Sequence, residues 1–138
     1  MGVYRLHRMQ TSSTPSVAPP FFSPSRREGE LVFVSGQMAF DAQWRIEGDT
    51  VGEQTRRCLG RIGEILAAEG LGLADVAKTT VWLSRVEDFA EFNRSYAECF
   101  DPAAGPAPAR STVRADLMVP GALVEIEAIA RARRAPGA

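Results

Sequence analysis

The run Leu123-Val124-Glu125-Ile126-Glu127-Ala128-Ile129-Ala130 constrains the fold more than any other stretch of the chain. Its residues alternate with period two, the signature of a strand with two unlike faces. Val124, Ile126, Ala128 and Ala130 point one way and suit a core. Leu123, Glu125, Glu127 and Ile129 point the other way. A face that mixes two carboxylates with Leu and Ile is not an ordinary solvent face; it fits a half-enclosed surface with a polar task.

Arg110 supplies the chemical counterpart. It follows Pro106 and Pro108 and opens the strand-like run Arg110-Ser111-Thr112-Val113, at a position whose backbone those prolines restrain. A guanidinium is a planar fork of donors that matches a carboxylate in two parallel bonds. Arg110 and Glu125 together can hold a small carboxylic acid and activate water on it. The same two residue types also make plain structural ion pairs, and on the residues alone that role is the commoner one.

A chain of 138 residues suits one domain and is long enough to bury about two thirds of its unfolded surface. Net charge is −1, so there is no global electrostatic footprint for nucleic acid or an anionic membrane. Arg131, Arg133 and Arg134 read as a solvated tail. No stretch reaches the ~18 apolar residues that span a bilayer, and the N-terminus lacks an apolar core of signal-peptide type. Cys58 and Cys99 lie far apart on apolar stripes of predicted helices, where free Cys acts as a small hydrophobe. A reducing cytoplasm and no metal site are the expectation. The single histidine, His7, sits near the terminus, which excludes a His-based triad or zinc site.

In chain order, Val3–Met9 reads as an edge strand and Gln10–Pro20, rich in Ser, Thr and Pro, as a loop or arm. Of Phe21 and Phe22, one is expected in the core, with cavity lining the lesser role for the other. Leu31–Gln37 is a clear strand ending in Ser35 and Gly36. Gly36 permits close approach of a ligand or another backbone, and a bulge needs it equally. Met38–Ile46 is expected as a strand pair around Asp41-Ala42-Gln43. A helix follows from Thr50, capped by Thr50 or Asp49 with Glu53 closing a capping box, and Gly70 ends it. Its buried stripe is Val51, Thr55, Leu59, Ile62 and Leu66.

Val76–Leu83 is the next strand, and strand-helix-strand in this order implies a parallel pair with a right-handed crossover. A second helix spans about Val86–Phe100, with Phe89, Phe92, Tyr96, Cys99 and Phe100 buried. Asn93, one turn from Phe89, either satisfies a backbone group or reaches a ligand. Two amphipathic helices cover one face of such a sheet. Leu123, Ile129 and Trp82 make the other face too apolar for water, so association through it is the economical solution.

Six segments, in this order, resemble the reactive intermediate deaminase family (Rid, or YjgF-type). They are Leu31–Gln37, Gln54-Thr55-Arg56, Val76–Val81, Phe89 through Asn93 to Tyr96, Pro108–Val113 and Val124–Ala130, within a resemblance that runs from about Phe21 to Ala130. It implies a chorismate-mutase-like α+β domain, a mixed sheet with two helices on one face, assembled as a homotrimer with ligand sites between subunits. Domain limits follow as an arm at 1–20, the Rid-like domain at 21–132 and a short tail at 133–138. The implied activity is hydrolysis of 2-imino or enamine acids, such as 2-aminoacrylate or 2-iminobutanoate, to 2-oxo acids and ammonia, with no metal or cofactor.

By the same resemblance Arg110 grips the substrate carboxylate and Glu125 orients or activates water. Ser35, Gly36, Asn93 and Ile126 fall at other pocket positions. Phe22 stands where the best-known members carry a tyrosine, and Thr112 where they carry a cysteine. Losing a phenol and a thiol changes hydrogen bonding around the ligand. The implied partners are a small 2-imino or 2-oxo acid and further copies of the chain, with neither nucleic acid nor membrane. The alternative is a non-enzymatic trimer that binds small carboxylates.

Geometry adds an expectation. If the last two strands form a hairpin turning near Val119-Pro120, Arg114 lies opposite Glu125 and Arg110 is displaced by ~13 Å along the strand. One small ligand does not easily touch both. Either the strands pair differently, or the two groups come from neighbouring chains.

Overall fold

The computed structural model describes residues 20–132; the edge strand expected at Val3–Met9, most of the Gln10–Pro20 arm and the 133–138 tail lie outside them. Five strands and two helices follow in the order β1 (Ser25–Glu28), β2 (Leu31–Gln37), α1 (Val51–Ala67), β3 (Val76–Leu83), α2 (Phe89–Glu98), β4 (Ala109–Arg114) and β5 (Val124–Arg131). The sheet order is β1-β2-β5-β3-β4. Only β3 and β4 pair in parallel; the other neighbours are antiparallel. This is the mixed α+β sheet that the sequence implies.

The last strand lies in the middle of the sheet. Val124, Ile126, Ala128 and Ala130 are almost wholly buried, and β5 has a hydrogen-bonded neighbour on each side. A strand with so continuous an apolar face gains most from the central slot, where burying each large aliphatic side chain contributes roughly 1.5–3 kcal/mol. Two expectations change as a result. The final strands form no hairpin, because β3 lies between β4 and β5. β2 and β3 run in the same direction but are separated by β5, so the parallel pair made by strand-helix-strand is β3-α2-β4 instead.

Thr50 caps α1, accepting from the Glu53 amide at 3.2 Å, while Glu53 Oε1 accepts from the amides of Thr50 and Asp49, as the capping-box spacing predicts. The stripe Val51, Thr55, Leu59, Ile62 and Leu66 is buried throughout. Gln54, also buried, donates to the carbonyls of Gly48 and Gly121 and accepts from the Leu123 amide, which ties the start of α1 to the entrance of β5. The second helix is shorter than expected: Val86–Asp88 is a 3-10 turn and α2 begins at Phe89. Phe92 and Tyr96 are buried, but Phe89 is 45% exposed.

Two local departures have simple causes. The edge strand β1, Ser-Arg-Arg-Glu, has no apolar alternation, because an edge strand in solvent needs none. Between Met38 and Ile46 only the single bridge Phe40–Ile46 forms, since the Asp41 carboxylate takes the Gln43 and Arg45 amides and folds the segment on itself. Neither Phe21 nor Phe22 enters the core; both are exposed in this copy of the chain. They stand beyond the edge of a sheet face that no helix covers.

Candidate functional site

Arg110 lies near the start of β4, the sheet edge. Its register partner on β3 is Thr79, and Thr112 is opposite Val81; Thr79 and Val81 are buried beneath the helices. Side chains of paired residues share a face. Arg110 therefore points to the helix-covered face, where its guanidinium carbon sits 4.7 Å from the centre of the Tyr96 ring and 5.1 Å from that of Phe92. One amino group donates to Asn93 Oδ1 at 2.7 Å. The Tyr96 hydroxyl is in turn joined to Thr79 Oγ1 at 2.7 Å. Among the described residues no carboxylate pairs with Arg110. A stacked guanidinium held by a neutral amide is rigid, and the rest of its donor fork stays open for an anion. Beside it Thr112, Phe89, Leu83, Val86, Val113 and Arg114 line a cavity of about 180 Å³.

Glu125 stands on the other face. Its partner on β3 is Trp82, and the next residue, Ile126, is fully buried among the helices. From the β2 side Gly36 meets it so closely that a Cβ there would collide with Glu125 Oε2. The pairing of β2 with β5 shifts between Val34 and Gln37, which brings the Gly36 backbone to the carboxylate. Gln37 braces this irregular stretch: its amide nitrogen donates to the Ser35 carbonyl at 2.9 Å, and Arg61 donates to its oxygen at 3.0 Å. Ser35 Oγ donates to the Ser23 carbonyl at 2.6 Å and so anchors the segment bearing Phe22. Phe22, Ser35, Arg26 and Glu127 line one open groove on this side.

A family model described as Endoribonuclease L-PSP matches residues 11–132. The chain belongs to the Endoribonuclease L-PSP family. A RutC family protein of Pyrococcus horikoshii is 38% identical, over 87% of this chain and 93% of its own length. Reactive Intermediate Deaminase A, a chloroplastic protein of Arabidopsis thaliana, is 36% identical over 88% of this chain and 64% of that protein. Among solved structures, E. coli TdcF with bound serine matches with a TM-score of 0.76 at 33% identity, covering 89% of this chain and 96% of that one. The Rid and YjgF resemblance read from six short segments is therefore sound.

In this Endoribonuclease L-PSP chain the expected site residues fall into two separate groups. Arg110, Asn93 and Thr112 gather around α2 and β4; Glu125, Gly36, Ser35 and Phe22 gather on the opposite side of the sheet. Ile126 belongs to neither group: its side chain is buried in the core, because it is one residue out of phase with Glu125. Between Arg110 and Glu125 lie the whole of β3, ~10 Å of sheet width, and the sheet itself. A small acid does not bridge them within one chain.

Electrostatics differ between the halves. Burial, with a smaller contribution from the charge of Glu127, raises the pKa of Glu125 above the usual carboxylate range and makes it a better proton acceptor. Burial also pushes up the thiols of Cys58 and Cys99, which keeps both protonated and poor nucleophiles. Among the described residues no His, Cys, Asp and Glu side chains cluster to hold a metal ion, and no helix is long and apolar enough to cross a membrane. Gln37, Arg61 and Tyr96, which hold the functional groups in place, carry no local sequence signal of that role. Only Gly36, singled out as a point of close approach, hinted at it.

Proposed function

We propose that the protein hydrolyses reactive 2-imino or enamine acids of the 2-aminoacrylate or 2-iminobutanoate type to 2-oxo acids and ammonia. The active sites lie between copies of the chain in a homotrimer: one copy supplies Arg110, Asn93 and Thr112, and its neighbour supplies Glu125, Gly36, Ser35 and Phe22. The observation that carries this reading is the split itself. One chain holds an anion-ready arginine on one face of its sheet and a proton-hungry carboxylate on the other, and the face bearing the carboxylate exposes Leu31 and Phe33. An apolar face of that kind calls for a covering surface.

The chemistry follows from the groups present. Arg110 takes the substrate carboxylate on the free part of its fork. The imine carbon is already electrophilic, so positioning a water molecule within ~3.5 Å of it does much of the work. Glu125 accepts a proton as that water adds to the carbon, giving a carbinolamine. The nitrogen receives a proton, the C–N bond breaks with its electron pair leaving on ammonia, and the remaining hydroxyl becomes the 2-oxo group. An enamine must first take a proton on carbon to become the imine. Thr112 and Phe22 shape the space around the side chain of the substrate.

The test generates 2-iminobutanoate with a threonine dehydratase and follows its hydrolysis with and without the protein. Acceleration at micromolar protein is expected, with losses of roughly 10²-fold or more in Arg110→Ala and Glu125→Gln. Binding of a 2-oxo acid should weaken in Arg110→Ala and persist in Glu125→Gln. No acceleration by the wild type, with 2-oxo acid binding intact, would establish the carboxylate-binding alternative in its place.

A further inference from the structure

We propose that Glu127 is a positioning residue for this hydrolysis, acting through Glu125: its carboxylate, two residues along the same face, keeps Glu125 ready to take the proton from water. The inference rests on the hydrolase reading above and adds to it a residue that neither the pocket positions nor the resemblance singled out.

Geometry makes the case first. Glu125 and Glu127 occupy alternate positions of β5, ~6.6 Å apart along the strand, and both side chains point to the face without helices. Both are half-buried. Their register partners on β3 are Trp82 and Thr80, neither of which carries charge. Among the described residues neither carboxylate takes part in an ion pair. Two like charges side by side without counter-ions on a partly apolar face repel, and the repulsion favours a proton on one of them.

Within one copy of the chain the surrounding groups leave Glu127 as the dominant charge beside Glu125. The Arg110 that the proposed assembly brings to the site is common to the wild type and the Glu127 variants, so comparing them isolates Glu127. From β1, Arg26 lines the groove with Glu127, but its Nε is committed to Glu28 at 2.7 Å. From β2 the closest contact is the backbone of Gly36, which has no charge. From β3, Lys78 is opposite Ile129, at the far side of Glu127 from Glu125. From α1, Arg61 is bound to Gln37, and Cys58 is buried on the helix side with its thiol toward the Val124 carbonyl. After desolvation, the charge of Glu127 is what raises the proton affinity of Glu125. Glu127 also borders the groove that contains Phe22 and Ser35, so it lies beside the site and not behind it.

The experiment compares kcat/KM against pH for the wild type, Glu127→Gln and Glu127→Asp, with Glu125→Gln as control. Removing the neighbouring charge lowers the proton affinity of Glu125. The acid limb of Glu127→Gln should therefore move to lower pH, by about half a unit to one unit, while its plateau at higher pH falls because the base is weaker. The two profiles should cross, with the variant roughly twofold to threefold faster below the wild-type limb, because the weaker base offsets part of the gain in its ionised fraction. Glu127→Asp, which keeps the charge, should stay close to the wild type. An unmoved acid limb, or an equal loss at every pH, overturns the proposal.

A second measurement needs no turnover. Carbon-13 NMR of the Glu125 side-chain carboxyl should show its titration moving to lower pH in Glu127→Gln and staying in place in Glu127→Asp; an unmoved Glu125 curve in Glu127→Gln overturns the coupling. Full activity in Glu125→Gln would also overturn the proposal, since nothing could then act through Glu125, whereas no acceleration by the wild type would sink the hydrolase reading and leave the titration result standing.

Discussion

The two halves of the site are built by opposite means. The arginine half is finished within one chain: Arg110 rests on two rings, Asn93 takes one donor, and Thr79 clamps the ring beneath through the Tyr96 hydroxyl. The glutamate half is left open. Glu125 is half-buried with a raised proton affinity, stands against a bare glycine and has no cation of its own among the described residues. A rigid cation can wait in solvent at modest cost, since a guanidinium stacks well and is weakly hydrated. A base gains strength only as water is excluded, and in the proposed homotrimer a neighbouring copy completes that exclusion. On the reading proposed above, the difference teaches that the reactive arrangement belongs to the assembly, with each copy carrying two unlike halves.

Mixing two inactive proteins is the strongest way to break this comparison. Arg110→Ala and Glu125→Gln should each be nearly inactive alone. After co-refolding in equal amounts, roughly a quarter of the interfaces combine both wild-type halves, and activity should return to about that level. No recovery would mean that both groups act from one chain. The next effect tests the glutamate side. Gly36→Ala pushes a methyl against Glu125 Oε2, the far end of a flexible side chain, so the carboxylate moves aside and the fold survives. Activity should fall about 10²-fold while the thermal midpoint stays nearly constant, because misplacing a reacting group by ~1 Å is enough for such a loss.

Tyr96→Phe probes the other half with the reverse signature. The ring under Arg110 remains, but the Thr79 hydroxyl is left buried without its partner. Stability should drop by about 1–3 kcal/mol in urea unfolding, and KM should hardly change. The smallest effect concerns pH. The folded pKa of Glu125 lies above its unfolded value, so this residue stabilises the fold less as pH rises from the ordinary glutamate range through its raised value. Glu53 and Asp41 run the other way: amide hydrogen bonds lower both pKa values, and their contribution is lost as pH falls through those lowered values. Glu125→Gln should therefore equal or exceed the wild type in stability at pH 7, by no more than about 1 kcal/mol, with the gap closing below about pH 4. Urea midpoints at the two pH values decide it.

The legible parts of the molecule were those encoded over short distances. Period two in Leu123–Ala130 assigned each side chain of β5 to its face, and the Thr50–Glu53 spacing placed the start of α1. Arg110, Glu125 and Gly36 stood out because their chemistry is unusual for where they sit. Of the two alternatives left open for Arg110 and Glu125, the strands do pair differently: β3 lies between β4 and β5, and the two residues stand on opposite faces of the sheet. Ile126 was a misplaced expectation: neighbouring Glu125 in sequence puts its side chain through the sheet, into the core.

What the amino-acid order determined by itself is the inventory: a two-faced strand, two amphipathic helices, an arginine at a strand start, a carboxylate among apolar neighbours and a glycine. What only the tertiary structure decided is partnership. Inserting β5 between β2 and β3 sends Arg110 and Glu125 to opposite faces, and the irregular pairing of β2 presses Gly36 on Glu125. The physical reason is that strand pairing is settled by the burial of whole faces against distant segments, and no residue carries that information in its immediate neighbours.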